Sequence, residues 1–299
     1  MLTVCKRSIV LVLAVLTAYG PLYAQSFDYG FKHLTTDHGL SHDNIHAITR
    51  DDRGFMWFGT MNGLSRFDGL QFKVFKHKVK DSTSLPHNFI LSITSHAGFM
   101  WVAHAAGVAR FDPATEKFTP VRFPDSSVTN PIAQLVKARN GQVYIARDNK
   151  LYLLDPHKNV ARFICQLSKQ DVGARLFEGP GSTIWVVMQP ALYRFDTKTN
   201  KLDYVQGTDA THSSQPGILF AYTDPLGSSW AGSWEGGLLK YNDTSRKFEP
   251  FASIPFVVSL TADVNFKENN LLWVCGGYSG LNLINVKTKR TIDLPKNIN

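Results

Sequence analysis

A short pattern returns six times along this chain, and that recurrence limits the fold more than any single motif does. "GFMWFGT" begins at Gly54, "GFMWVAH" at Gly98, "GQVYIAR" at Gly141, "GSTIWVV" at Gly181, "GSSWAGS" at Gly227 and "NLLWVCG" at Asn270. The aromatic anchors are Trp57, Trp101, Tyr144, Trp185, Trp230 and Trp273, in steps of 44, 43, 41, 45 and 43 residues. A second track follows each anchor: "GLSRFD" from Gly63, "GVARFD" from Gly107, "KLYLLD" from Lys150, "ALYRFD" from Ala191, "GLLKYN" from Gly237 and "GLNLIN" from Gly280. A third follows that, in segments such as "FKVFK", "LDYVQ" and "FEPFA". A fixed period of this length is the mark of a repeat architecture.

Each unit holds four short apolar segments, which in the first are residues 45–49, 56–59, 64–67 and 72–75. None is long enough for a stable helix, and turn-forming residues separate them. Asn62-Gly63 predicts a tight hairpin between the second and third segments, with positive φ at both residues. Four strands at this period form one blade of a β-propeller, with the repeated ring packed between blades. The expected fold is therefore all-β. The repeats run approximately over 44–87, 88–130, 131–172, 173–217, 218–257 and 258–299. "FDYGFKHLT" (residues 27–35) reads as a lone outer strand ahead of them. Such a strand completes a last blade that this chain does not supply. The expectation is an incomplete seven-bladed ring, shortened by truncation or as a fragment. The alternative is a six-bladed ring with a spare N-terminal strand. An open ring exposes strand edges and invites association, such as a homodimer.

Residues 1–24, "MLTVCKRSIVLVLAVLTAYGPLYA", have a basic start, a short apolar run and a small residue at the end, the layout of a secretory signal peptide. The repeats, residues 25–299, are then exported. Losing Lys6 and Arg7 lowers the formal charge of +8 by two, and the remaining cations are scattered. With export, this argues against a nucleic-acid partner. Cys165 and Cys275 have no metal-ligand spacing. They fall on an outer strand of the third unit and the second strand of the sixth, too far apart for a disulfide.

"GLSHDNIHAITRDDRGFMWFGTMNGLSRFDGLQFKVF" (residues 39–75) resembles the two-component regulator propeller repeat. The matching positions are Gly39-Leu40-Ser41, Asn44, Asp52, Gly54, Trp57, Gly59-Thr60, Gly63-Leu64 and Phe67-Asp68. The second unit matches through "LPHNFILSI", Trp101, Gly107 and Phe111-Asp112, and the later units more loosely. The resemblance implies the periplasmic sensor region of a hybrid two-component system. There the propeller lies on the extracytoplasmic face of the inner membrane, joined to membrane-anchored signalling domains or a partner protein, and binds an oligosaccharide or other small ligand. It also implies a histidine kinase and further repeats, which these 299 residues do not contain.

Candidate chemistry is sparse. Asp68, Asp112, Asp155 and Asp196 recur as turn residues, whose carboxylates accept local N–H groups. His38, His42 and His46 would share a face on a helix, but the segment reads as a loop entering a strand, so no metal is expected. No nucleophile elbow of the G-x-S-x-G type is present. No catalytic residue and no cofactor is expected. Trp234 in "SWEGG" and Tyr278 in "GGYSG" lie outside the repeated track, in corresponding loops of units five and six, and are the candidate ligand-binding rings. The competing reading is a secreted lyase or hydrolase acting on a glycan or a small cyclic ester. It requires His, Glu and Arg side chains converging at the central channel.

Overall fold

The computed structural model describes residues 30–125, 132–168, 173–207, 217–292 and 294. Residues 34–294 form one unit. The terminal segments form a second, of which Gly30–His33 are described, without regular structure. The proposed signal peptide lies outside the described residues.

Six four-stranded antiparallel sheets follow one another, each with its strands a, b, c and d in sequence order. The blades cover residues 45–75, 90–120, 133–166, 175–206, 218–252 and 257–292. They are arranged as a ring, and the fold is a β-propeller. In blade 1 the strands are Ile45–Arg50, Met56–Thr60, Gly63–Phe67 and Phe72–Phe75, within a residue of the segments read from the sequence. Among the described residues the helical elements are a 3₁₀ turn at Thr36–His38 and a one-turn α-helix at Phe266–Asn269.

The expected outer strand over residues 27–35 is not seen in its described part, Gly30–Thr35. A strand needs a ladder partner for its N–H and C=O groups, and among the described residues no a–b–c set awaits a fourth strand. The first b–c hairpin is present but shifted by one residue from expectation. Thr60 pairs with Gly63, so Met61 and Asn62 form the turn, and Asn62 is not among the positive-φ residues. Gly63, with φ 128°, opens strand c, and a Cβ there would meet the Phe75 carbonyl oxygen at 3.0 Å.

The repeated rings build the core between blades. Trp57, Trp101, Trp185 and Trp230 are fully buried and Tyr144 nearly so, each packed into the next blade. Trp57 meets the Phe111 ring edge-on at 5.3 Å. An acidic residue in the a–b turn fixes several of these indoles. Asp51 accepts the Trp57 N–H at 2.9 Å, Asp224 that of Trp230 at 2.9 Å, and Asp263 that of Trp273 at 3.0 Å. In blade 1 this residue is Asp51, not the motif's Asp52, which is exposed. The c–d turns behave as read from sequence: Asp68, Asp112, Asp155 and Asp196 each accept backbone N–H groups two or three residues ahead. Those hydrogen bonds, foremost the backbone ones, hold all four carboxyls below the usual range. Cys165 and Cys275 are both free.

An aromatic platform as the candidate functional site

In every blade the b–c turn and the incoming d–a connection lie at the same end of the sheet, because four antiparallel strands alternate direction. One rim of the propeller is thus built from these two kinds of loop. Trp234 stands in the b–c turn of blade 5, after strand b Ser229–Ser233. Tyr278 stands in the b–c turn of blade 6, between Leu271–Gly276 and Gly280–Asn285. The structure brings the two together through Phe256, in the connection between these blades. Trp234 and Phe256 stack with centroids 4.2 Å apart and planes 15° from parallel, and Phe256 meets Tyr278 at 5.4 Å and 43°. Trp234 is 57% exposed and Tyr278 82% exposed. Large rings left this open are unusual unless they have a partner.

The platform is held from below. Trp234 donates its backbone N–H to the Gly217 carbonyl at 3.4 Å, and buried Ser233 accepts the Gly236 N–H on its hydroxyl at 2.7 Å. Phe256 has φ 50°, a left-handed conformation that costs a non-glycine residue about 1 kcal/mol or more. Its carbonyl accepts the Gly277 N–H at 2.7 Å. A Cβ on residue 277 would stand 2.1 Å from the Phe256 ring, so only glycine lets that ring lie flat on the turn. Glu235 is exposed beside Trp234, and the Tyr278 hydroxyl makes no hydrogen bond among the described residues. The result is a braced apolar ladder with polar groups at its margin. Such a surface stacks on planar or ring-shaped ligands.

Phe256 was not among the sequence candidates. The signal was weak: "IPFVV" reads as a buried strand start, and only the backbone shows that the Phe precedes it with φ 50°.

Elsewhere on this rim a cavity of about 180 Å³ lies between blades 3 and 4, lined in part by Gln134, Arg147, Asp148, Arg175 and Gln189. Its two arginines do not converge. The Arg147 guanidinium lies 4.2 Å from the Phe123 ring centre toward blade 2, while Arg175 donates to the Leu219 carbonyl of blade 5 at 3.1 Å. Burial lowers the pKa of both.

His104, 2% exposed, ends strand b of blade 2 (Phe99–His104). Its Nδ1 accepts the Ala106 N–H at 3.1 Å, the part that Thr60 plays for Asn62 in blade 1. Desolvation, and then the nearby His87, lower its pKa to about 4. His38, His42 and His46 are spread out. Thr35 and Asn44 donate backbone N–H groups to His38 and His42, and the His46 ring packs on Phe89. Among the described residues no three His, Cys, Asp or Glu side chains come together as a metal site would need.

Residues 39–62 match the two-component regulator propeller family. A stretch of 64 residues, 21% of this chain, is 41% identical to histidine kinase P4 of Formosa agariphila and covers 5% of that protein. Among solved structures, the extracellular domain of BT3049 from B. thetaiotaomicron, described as part of a hybrid two-component system, superposes with TM-score 0.70 at 17% identity. That of BT4673 from the same organism gives 0.70 at 20%. The chain is covered to 89% and 91% and spans 37% and 39% of those two domains, well under two thirds of either. At such identities the two structures speak for the fold alone, while the sequence match speaks for the repeat. This chain is a β-propeller in which residues 39–62 match the two-component regulator propeller repeat.

Proposed function

We propose that this propeller is the extracytoplasmic sensing region of a two-component signalling protein, that its ligand stacks on the Trp234–Phe256–Tyr278 platform, and that the chain is part of a longer sensor. The observation that carries the ligand reading is the braced, solvent-facing stack itself, formed by residues outside the structural repeat. Oligosaccharides are the ligand class that fits it. The C–H faces of a pyranose ring match an exposed aromatic plane, and hydroxyl groups match the polar margin. The repeat match and the resemblance of residues 39–75 support the signalling role, with kinase activity residing in domains outside these residues.

The enzyme reading has less support. Three ionisable groups of the inner strands are engaged across neighbouring blades. Lys137 donates to the Ser95 carbonyl and Arg175 to that of Leu219, while Glu178 pairs with Arg139 at 2.8 Å.

The test is titration of the chain with a panel of neutral and acidic oligosaccharides, followed by tryptophan fluorescence and calorimetry. A binder is expected to lose about fivefold in affinity with Trp234→Ala and with Tyr278→Ala, since each stacked ring contributes on the order of 1 kcal/mol. Both variants should keep the parent thermal midpoint. Unchanged affinity in both would move the ligand away from the platform.

A further inference from the structure

The rim opposite the aromatic platform is built from the a–b and c–d turns. A cavity of about 750 Å³ opens on it at blade 5, walled mainly by that blade and by the c–d turn of blade 6. Two lysines line it: half-buried Lys240, from strand c of blade 5, and Lys289, from the c–d turn of blade 6. The Lys240 ammonium stands 5.1 Å from the Trp230 ring centre, and that of Lys289 5.3 Å from the Phe251 ring centre. The two rings meet edge-on at 4.8 Å, so both cations rest on one aromatic wall.

Register shows what these cations lack. Lys240 pairs with Trp230 and with Glu249, as Arg66 pairs with Trp57 and with Lys73 in blade 1. Lys289 follows Asn285 in its turn as Glu116 follows Asp112 in blade 2. Both residues are left-handed, with φ 59° and 55°, and both donate their backbone N–H to that earlier residue's carbonyl at 2.8 Å. Between blades 1 and 2, Glu116 pairs with both Arg66 and Lys73. Between blades 5 and 6 a lysine stands where that glutamate stands, so two cations share the place of an ion pair. The acids of the cavity are Glu249 and Asp243. Glu249 is engaged by neutral donors, the Asn242 amide at 3.0 Å and the Ser245 hydroxyl at 2.8 Å, and Asp243 is exposed in the c–d turn. Among the described residues neither lysine makes an ion pair.

We propose that this cavity binds a small polyanion, one oxyanion group of which takes the place that the Glu116 carboxylate holds between blades 1 and 2. The two ammonium groups supply the charge, and Ser228, Tyr241 and Thr244, on the same lining, bring hydroxyl donors. The ring contacts restrain both lysine chains in advance, which lowers the ordering cost of binding. The inference rests on the charges between blades and is independent of the sensing proposal.

The test is calorimetry and thermal melting of the full chain with sodium pyrophosphate, set against sodium chloride at matched ionic strength. Pyrophosphate is expected to bind saturably and to raise the midpoint, and chloride is not. Lys240→Gln should weaken binding by about tenfold, because a charge-assisted contact is lost. Lys289→Glu recreates the arrangement of blades 1 and 2, and should abolish binding while the free protein melts no lower than the parent. Lys198→Gln, at an exposed position in the c–d turn of blade 4, should bind as the parent does. A parent chain without saturable binding would overturn the inference, as would undiminished binding by Lys289→Glu or an equal loss in Lys198→Gln.

Discussion

The Asp51 carboxylate takes the indole N–H of Trp57 at 2.9 Å while accepting the backbone N–H groups of Arg53 and Phe55, each at 3.0 Å. One side chain therefore closes the a–b turn and sets the angle at which the tryptophan enters the next blade. Asp51 is 8% exposed, so removing it strands the buried Trp57 indole N–H and leaves two part-buried backbone donors without their acceptor. Asp51→Ala is expected to cost about 2–4 kcal/mol in urea denaturation. Asp52→Ala, one residue along and exposed, should stay within about 0.5 kcal/mol. Equal effects would remove the special role of Asp51.

The cost of tryptophan truncation should follow burial. Trp101→Ala empties a fully buried site and is expected to cost about 3–5 kcal/mol. Trp273→Ala, at a partly buried position, should cost clearly less under the same denaturation protocol.

The platform depends on a glycine beneath it. Gly277→Ala places a Cβ 2.1 Å from the Phe256 ring and must displace that ring. The expected outcome is a loss of about 1–3 kcal/mol, with a shift in Trp234 emission as the 4.2 Å stack opens. An unchanged spectrum would show that Phe256 does not seat the tryptophan.

His104 makes stability depend on pH. Its folded pKa is lowered from 6.5 to about 4, so the folded state binds fewer protons than the unfolded chain between those values. Its neutral form is stabilised fully above pH 6.5, and that advantage fades as pH falls toward 4. The loss is on the order of 3 kcal/mol at most. His104→Asn keeps a turn acceptor and removes the titration, so its stability profile between pH 6.5 and 4 should be flatter than the parent's. Superimposable profiles would exclude His104 as the source.

The architecture was legible because a propeller writes itself periodically. Trp57 and its successors, the Gly-Leu tracks and the c–d turn Asp residues each recur at the same place in a blade, and one repeat predicts the next. The candidate platform was half legible. Trp234 and Tyr278 stood out by failing to repeat, but Phe256, which joins them, looked like an ordinary strand residue.

The sequence by itself determined the blade, its four strands and the ring at each interface, since these follow from local turn chemistry and alternation along a few residues. Only the tertiary structure decided which Asp holds Trp57, where the b–c turn falls and that residues 234, 256 and 278 meet. These depend on backbone angles and on contacts between segments far apart in the chain, and a repeat pattern is the same whether or not its neighbour is present.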